Sequence, residues 1–525
     1  MPDAQDGAVD LATRAYVYGF PLVFDLEQVD RITSLGLGVT PAAPFNTFSH
    51  ATTLAGPQDT FVSINNDTIY SIAQLDLGGG PLLLTVPDTA GAYYVLQFVD
   101  AWTNNFAYVG KRATGTGAGR FLLTPPGWDG TVPGNTTRIA VPTRVASVVG
   151  RWACDGPADV GRVRDLQSGL SLAPADPAAP PAAGLPVPDP AVPPELRFWE
   201  KLRVWMAAFP PAGHDQQLQQ AFGPLGLLEA GDSPYRDSPG AFAALAEGER
   251  AGRAALEQAL RSAATPDGGS WQQNYHVFDY NVDFFEVGTI NAPEWKIADR
   301  AEAITARAAA ALAGLWGNHA YEAAYAQTWV DSDGSALHGS HDYRWRLDPE
   351  PPVAAFWSIT MYDLPEFYLV ENPIARYSIG DRTRGLVRGA DGSIDIWISH
   401  KEPADPQAAA NWLPAPAGEF RPILRMYSPR PEVLDGSYRV PPLVCQRLCR
   451  AGERPCPAVL SAPRGGARAP HPGTAARPRV ARHRARRVPL AGAGRRHRAA
   501  RRRSHPSPVR PRPRQAARPA GIPAR

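Results

Sequence analysis

Cysteine is scarce in this chain of 525 residues, and its distribution excludes a disulfide-stabilised fold. Cys154 is the only cysteine before residue 444, and the other three follow that position. One cysteine cannot form an internal disulfide, so we predict a reducing, cytoplasmic location. The first residues contain neither a basic nor an apolar export region, and no apolar run of about 18 residues occurs. These absences predict a soluble protein with no signal peptide and no membrane span.

Motifs of common nucleotide-binding and hydrolytic enzymes are also absent. The sequence contains no Gly-x-Ser-x-Gly, no His-Glu-x-x-His and no Gly-x-x-x-x-Gly-Lys-Ser/Thr. The closely spaced Gly115, Gly117 and Gly119 do not lead from a strand into a helix, so they do not predict a nucleotide loop. His338 and His341 form a pair without a third ligand, which is typical of an exposed loop. We therefore predict no metal and no cofactor.

Charge is distributed unevenly along the chain. The formal net charge is +2, yet residues 444–525 contain 22 arginines, no lysine and one acid, Glu453. This tail has no aromatic residue, so it cannot bury enough apolar surface to offset its ordering entropy. We predict a disordered tail and interpret it as the product of a lost reading frame near codon 444. The alternative is a genuine arginine-rich arm, for which nucleic acid would be a partner.

The rest of the chain alternates between β and helical patterns. Short strands at spacings of about 8–12 residues predict a β-rich module over residues 8–170, with a leading helix. A Pro/Ala-rich linker follows at 171–195, and a helical subdomain is predicted over 196–328. Alternating strands return over 329–443. The predicted fold class is α+β, with two sandwich-like β-rich modules and a helical insert.

Three helices carry expectations that a structure can test. Residues 8–33 show apolar positions at spacings of three and four, and Pro21 should kink this helix or split it. Residues 194–209 form a second, amphipathic helix. A third, long helix is predicted from residue 294 to about residue 326.

Polar side chains follow two predicted strands of the first module. Asp67 is a candidate acid/base, with Asn65 and Tyr70 as nearby ligand-binding candidates. The alternative for this cluster is an Asx-type turn between two strands. A second cluster follows a strand that is apolar on both faces, and it comprises Asp100, Trp102, Asn104 and Asn105. It either lines a pocket, with Asp100 as acid/base and Trp102 as a stacking face, or it satisfies a buried loop.

Arginines supply the remaining candidates. Arg151 ends an apolar strand and can hold a carboxylate with two parallel hydrogen bonds. The alternative is a structural salt bridge to Asp155 or Asp159. Candidates in the second module are Arg376, Arg425 and Tyr427. The last two are two residues apart on a strand, so they lie on one face and contact either a ligand or the other module.

Longer motifs resemble two bacterial families. The N-terminal half resembles domain-of-unknown-function family 1254 at Ala15-Tyr-Val-Tyr-Gly-Phe-Pro-Leu22, Asn65-x-Asp67-Thr68-x-Tyr70 and Asp100-Ala-Trp-Thr-Asn104. The C-terminal half resembles family 1214 at Phe356-Trp-Ser-x-Thr-x-Tyr362, Arg376-Tyr-Ser-x-Gly-Asp381 and Asn411-Trp-Leu-Pro-Ala-Pro416. The resemblance implies β-rich, jelly-roll-like ends around a helical insert. Members commonly carry an export signal, from which this chain departs, and no activity follows from the families.

Three functions remain open from the sequence. The first hypothesis is that the protein binds a small polar molecule, a sugar or a carboxylate, in an aromatic and amide-lined pocket between the β modules. The second hypothesis is a cofactor-independent hydrolase or lyase that uses Asp67 or Asp100. The third is a structural protein, such as a homo-oligomer, without a small ligand. A deep pocket on which Asp67, Asp100, Asn104 and Arg425 converge would favour the first two, and scattered, buried, satisfied side chains would favour the third.

Overall fold

The computed structural model describes residues 2–60, 63–237, 242–261 and 269–446. Its helices are α1 (Pro2–Leu35), α2 (Val160–Ser168), α3 (Arg197–Ala208), α4 (Gly213–Gln220), α5 (Pro234–Asp237), α6 (Ala243–Arg261), α7 (Arg300–Gly314), α8 (Pro406–Ala410) and α9 (Pro431–Leu434). The first nine strands are β1 (Ser49–His50), β2 (Thr68–Asp76), β3 (Leu82–Val86), β4 (Tyr94–Asp100), β5 (Asn105–Gly110), β6 (Gly119–Thr124), β7 (Thr137–Ala140), β8 (Val145–Ala153) and β9 (Ser171–Pro174). The others are β10 (Trp271–Gln272), β11 (Ala323–Thr328), β12 (Tyr343–Leu347), β13 (Val353–Asp363), β14 (Ser378–Gly380), β15 (Ile394–Ser399), β16 (Trp412–Pro414), β17 (Phe420–Pro429) and β18 (Val444–Cys445).

The N-terminal β module consists of two sheets packed on each other. The larger sheet has the order β1-β2-β8-β4-β5, and the smaller has the order β7-β6-β3-β9. Apolar side chains such as Leu96 from the larger sheet and Leu84 and Phe121 from the smaller one share a buried core. Because side chains alternate along a strand, Tyr70 and Arg151 lie on the opposite face of the larger sheet. We call this the inner face of the N-terminal sheet.

The C-terminal β module repeats this arrangement. Its larger sheet has the order β10-β11-β17-β13-β14, and its smaller sheet has the order β16-β15-β12-β18. Trp345, Ile396 and Leu424 contribute to the core between these sheets. The predicted α+β class with two β-rich modules is confirmed. A jelly roll in each module stays a prediction.

Helices form a third apolar core around α1. This helix packs against α3, α6 and α7, and Leu22, Leu26 and Val29 on it are buried. Of the two outcomes predicted for Pro21, a split does not occur, because α1 is one continuous helix of 34 residues with the proline inside it. A kink at Pro21 stays a prediction. Burial on both sides of the proline offsets the missing backbone hydrogen bond. Within the described residues, no helix combines the length and the apolar character needed to cross a membrane.

The third helix, predicted from residue 294 to about residue 326, is shorter in the structure. Helix α7 ends at Gly314, and the alanine-rich segment from Ala323 forms β11, which pairs with β17 and β10. Alanine favours helices locally, but tertiary pairing overrides this propensity. Ala324 and Ala326 pack into the core between the C-terminal sheets, where small side chains fit.

Short strands lie at two of the predicted boundaries. The linker predicted to begin at residue 171 starts with β9, which pairs with β3 at the edge of the smaller N-terminal sheet. The tail predicted to begin at residue 444 starts with β18, which pairs with β12. The rest of the predicted disordered tail, from residue 447, lies outside the described residues.

Gly248 marks the close approach of α6 to α1. A Cβ atom placed there would lie 2.4 Å from the Cβ of Ala12 and 2.9 Å from its carbonyl carbon. Gly248→Leu should therefore force the helices apart and lower the free energy of unfolding by about 1–3 kcal/mol. The matched control is Ala254→Leu on the exposed side of α6, which should change the stability by less than about 0.5 kcal/mol. Urea denaturation measures both variants, and equal losses would contradict this packing argument.

Candidate functional site in the cavity between the β modules

A cavity of about 250 Å³ lies between the two β modules. Its walls are the inner face of the N-terminal sheet, the facing side of the larger C-terminal sheet, and the end of α7 with the loop after it. A cavity of roughly 150 Å³ accepts benzene, so this one has room for a ligand of about ten non-hydrogen atoms. We call it the inter-module cavity.

Arg151 and Tyr70 form the polar part of the N-terminal wall. They are cross-strand neighbours on β8 and β2, and the guanidinium lies 5.6 Å from the centre of the Tyr70 ring. Arg151 donates hydrogen bonds to Gln97 Oε1 at 2.8 Å and to the carbonyl oxygen of Trp316 at 2.7 Å. The arginine is 7% exposed, so these two acceptors fix a buried cation on the cavity wall.

The predicted salt bridge from Arg151 to Asp155 or Asp159 is wrong. Asp155 instead accepts from Arg382 at 2.8 Å, and Asp159 accepts from Arg162 at 2.7 Å. Arg151 lies on the inner face of the sheet, whereas both aspartates follow the end of β8 and are directed to other partners. The short distance along the sequence does not reveal that Arg151 and the two aspartates point in different directions.

Alternate residues of β17 form the C-terminal wall. They are Arg421, Ile423, Arg425 and Tyr427, and all four line the cavity. Their neighbours Leu424 and Met426 point into the module core, as expected from the two-residue period of a strand. The prediction that Arg425 and Tyr427 share a face is confirmed. Arg421 was missed, although extending the same period along the strand would have reached it.

Ser63 connects the loop before β2 to both arginines of that wall. Its carbonyl oxygen accepts from Arg425 Nη2 at 2.6 Å, and its hydroxyl oxygen accepts from Arg421 Nη2 at 2.5 Å. The Ser63 N–H donates to the carbonyl oxygen of Phe367 at 3.0 Å. Ser63 has a φ of 55°, which is costly for a residue other than glycine. The contacts with the C-terminal module hold it in this conformation.

Asn65 forms the turn that the sequence suggested as an alternative. Its Oδ1 accepts from the N–H groups of Asp67 at 3.3 Å and Thr68 at 3.1 Å. Its Nδ2 donates to the Tyr70 hydroxyl oxygen at 2.8 Å. Asn65 therefore combines an Asx-type turn with a position on the cavity wall.

Asp67 crosses to the other module instead of closing its own turn. Its Oδ1 accepts from the Tyr427 hydroxyl at 2.8 Å, and its Oδ2 accepts from the Ser358 hydroxyl. The residue is 4% exposed. Asp67 therefore lies behind Tyr427 and orients its hydroxyl group, and it is not among the residues that line the cavity.

The three lining arginines remain charged near neutral pH. Burial lowers the pKa of Arg421 to about 10, which still leaves it protonated. Burial also acts to lower the pKa of Arg425, but Tyr362, Tyr427 and Asp67 outweigh it, and the net pKa is raised. Among the described lining residues there is no aspartate or glutamate. The cavity therefore has a positive character.

Asp100 lies far from this cluster. It is the last residue of β4 and pairs with Ala146 of β8, whereas the carbonyl oxygen of Asp67 accepts from the N–H of Cys154 just after β8. Because each residue of a strand adds a fixed rise, the distance along β8 from Ala146 to Cys154 is roughly 25 Å. The two carboxylates that were predicted as catalytic candidates are therefore not brought together.

The Asp100 carboxylate closes its own loop. It accepts from the N–H of Trp102 at 3.0 Å, from the N–H of Asn104 at 2.8 Å and from Asn104 Nδ2 at 2.9 Å. Arg307 donates to Asn104 Oδ1 at 2.9 Å. Burial raises the pKa of Asp100 to about 6, against the effect of these hydrogen bonds. The buried-loop alternative describes this cluster.

Three further candidates lie off the cavity. Trp102 is 1% exposed within the helical core, and its indole N–H donates to the carbonyl oxygen of Phe209 at 2.8 Å. Asn105 Nδ2 donates to the carbonyl oxygen of Gly317 at 2.9 Å, so it supports the wall from behind. Arg376 donates to carbonyl oxygens near β16, away from the cavity.

Other polar lining groups were not anticipated. Tyr325 and Gln327 lie on β11, a segment that the sequence assigned to a helix, so their common face could not be seen. Gln272 is the last residue of β10, and Asn274 lies two residues after it. Within the described part of the chain, no group of three His, Cys, Asp or Glu residues is placed to hold a metal ion.

Comparison with known families accounts for both modules. Residues 45–174 match the family model "Protein of unknown function (DUF1254)", and residues 322–431 match "Protein of unknown function (DUF1214)". The chain carries a DUF1254 module and a DUF1214 module. The DUF1254 match covers β1 to β9, and the DUF1214 match covers β11 to β17. The inter-module cavity thus lies between a DUF1254 sheet and a DUF1214 sheet. No curated protein matches the sequence.

One solved structure shows a similar fold. The VPA0106 protein from Vibrio parahaemolyticus is similar with a TM-score of 0.61 at 23% identity, over 84% of this chain and all of that one. An uncharacterised protein from Burkholderia cenocepacia aligns over 85% of this chain and 94% of its own, with a TM-score of 0.36 and 11% identity. The first of these supports the arrangement of the DUF1254 and DUF1214 modules as one fold.

Proposed function

We propose that this protein binds a small molecule in the inter-module cavity. The observation that carries this proposal is the set of buried arginines and tyrosines that the two β modules turn toward one space of about 250 Å³. Buried charge is costly when it serves only packing, so its concentration around a cavity favours a ligand. Five of the predicted ligand-binding residues line this space: Asn65, Tyr70, Arg151, Arg425 and Tyr427.

An unpartnered donor adds support. Arg421 is 5% exposed and lines the cavity, and its Nε has no hydrogen-bond partner among the described residues. Arg421 also packs 4.2 Å from the ring centre of Phe367 and 5.0 Å from that of Trp329. These rings fix the guanidinium plane, which is how a preformed ligand contact is built. The acid/base alternative has no comparable support, because the Asp100 carboxylate is occupied by its own loop and the Asp67 carboxylate by two hydroxyl groups.

Filling the cavity should abolish binding while keeping the fold. Ala313 lines the cavity from α7, so Ala313→Trp would occupy the space that a ligand needs. Compounds that raise the Tm of the wild type in a thermal-shift screen should lose at least tenfold in affinity for this variant.

Ala301→Trp is the matched control, because it places the same side chain at an exposed position of α7. It should bind as the wild type does. Compounds that stabilise the wild type and Ala313→Trp equally would refute a ligand site here. A screen in which no compound stabilises the wild type would favour a structural role without a small ligand.

A further inference from the structure

The side chains around the inter-module cavity offer a ligand more hydrogen-bond donors than acceptors. This inference rests on the proposed function and concerns the chemical class of the ligand. Sugars and carboxylates both suit a polar pocket, but they differ in what they offer. A sugar presents many hydroxyl groups and needs protein acceptors, whereas a carboxylate only accepts.

Side-chain amide oxygens around the cavity are already used. Gln327 Oε1 accepts from Arg421 at 3.0 Å, and Gln272 Oε1 accepts from Gln327 Nε2 at 3.0 Å. Asn274 Oδ1 accepts from the N–H of His276 at 3.1 Å. Asn65 Oδ1 is occupied by its own turn. Each oxygen already accepts at least one hydrogen bond, so these four groups offer a ligand fewer acceptor sites than their two lone pairs each would allow.

Donors, by contrast, remain. Each guanidinium has five N–H groups, and Arg421 and Arg425 use two of them each in side-chain or carbonyl contacts. The hydroxyl oxygen of Tyr70 accepts from Asn65 Nδ2 at 2.8 Å, and that of Tyr325 accepts from the N–H and Nδ2 of Asn318, both at 3.4 Å. Each of these hydroxyl groups keeps its own proton for donation.

Two nearby carboxyl groups, Asp67 and Asp25, lie outside the lining of the cavity, and they offset only part of the positive charge of its three arginines. Asp67 is held by two hydroxyl donors behind the wall. Asp25 accepts from the indole N–H of Trp316 at 2.7 Å, and burial raises its pKa well above the usual range, which favours its neutral form. The wall is thus rich in donors and cations and poor in anions.

The other part of the lining is apolar. It includes Leu37, Val39, Ile72, Val149, Phe278 and Leu315. Such side chains suit an alkyl or aryl group, and they would leave sugar hydroxyls without partners. The two parts of the lining together match a molecule with an anionic head and an apolar body.

We propose that the cavity takes a small organic carboxylate with an apolar body. The whole molecule would have about ten non-hydrogen atoms. Its carboxylate would accept from the guanidinium groups of Arg421 and Arg425 and from the hydroxyl groups of Tyr70 and Tyr325. Charge-assisted hydrogen bonds of this kind are shorter and stronger than neutral ones. Ser63 acts as a positioning residue, because it holds both guanidinium groups through its carbonyl and hydroxyl oxygens.

The test compares acids with their uncharged analogues. Isothermal titration calorimetry on the full chain would use hexanoate, benzoate, phenylacetate and 3-phenylpropionate, each beside its primary amide, with glucose as a donor-rich comparison. At least one acid should bind at least tenfold more tightly than its amide, and glucose should not bind. Arg421→Met should weaken that acid at least tenfold, and Arg421→Lys should recover part of the loss.

Arg344→Met is the matched control, since Arg344 pairs with Asp395 on the outside of the smaller C-terminal sheet. It should leave the affinity unchanged. If Arg421→Met does not fold, Tyr325→Phe removes one donor without removing a charge and should weaken the acid severalfold. Amides or glucose that bind as well as the acids would overturn the carboxylate proposal and leave the cavity as a ligand site. The carboxylate proposal would also be overturned if none of these acids binds while other compounds stabilise the wild type, and not Ala313→Trp, in the thermal-shift screen. Failure of both experiments would refute the binding function itself.

Discussion

Asp67→Ala is expected to lower the free energy of unfolding by about 3–5 kcal/mol. The side chain is 4% exposed and accepts the hydroxyl protons of Tyr427 and Ser358, which lie in the opposite module. Removing the carboxylate leaves two buried hydroxyl groups without their acceptor. It also removes a negative charge that acts on the buried Arg425. Both losses occur in a buried site where water cannot easily replace the missing contacts, so the decrease in the free energy of unfolding should be large.

Asp155→Ala provides the comparison for this variant. Asp155 also joins the modules, through Arg382 at 2.8 Å, but its side chain is 52% exposed. Water screens such a pair, so its removal should cost less than about 1 kcal/mol. Urea denaturation of the two variants measures the difference. If Asp67→Ala is no less stable than Asp155→Ala, the buried inter-module contact is not what holds these sheets together.

Trp102→Ala should be comparably destabilising, by about 3–5 kcal/mol, and should leave ligand binding unchanged. The indole is 1% exposed and lies 5.1 Å from the ring of Tyr18 in the helical core. Alanine would leave a large void and would orphan the carbonyl oxygen of Phe209. Because Trp102 is not on the cavity wall, binding of the carboxylate probes should not respond.

Trp102→Phe separates packing from hydrogen bonding. Phenylalanine fills most of the space but cannot donate to Phe209, so the expected loss is about 1–3 kcal/mol. Thermal denaturation and calorimetric titration on the same samples report stability and affinity together. A Trp102→Ala protein that keeps its stability but loses affinity would restore the stacking role that the sequence suggested.

Some features of the site follow from local patterns. The two-residue period of β17 places Arg425 and Tyr427 on one face, and the same period reaches Arg421. The Asn65 turn follows from short-range bonding between a side chain and nearby N–H groups. These arrangements depend on residues within a few positions of each other, so one sequence contains enough information to predict them.

Other features depend on residues far apart in the chain. Asp67 meets Ser358 and Tyr427, and Ser63 meets Arg421 and Arg425, only because two sheets pack face to face. The sequence contains both polar clusters, but it does not reveal which of them contacts the other module. This is why the sequence predicts Asp67 and Asp100 as alternative acid/base residues of one pocket, although they lie near opposite ends of β8.

The sequence by itself determined the two β-rich modules, the helices around α1, the alternation of side chains within each strand and the contrast between the body and its arginine-rich tail. Tertiary structure alone decided that Ala323 begins a strand, that Arg151 turns away from its neighbouring aspartates, and that the arginines face one cavity. The physical reason is range. Hydrophobic periodicity and turn bonding act over a few residues, whereas the partners of a buried charge are chosen by packing between segments hundreds of residues apart.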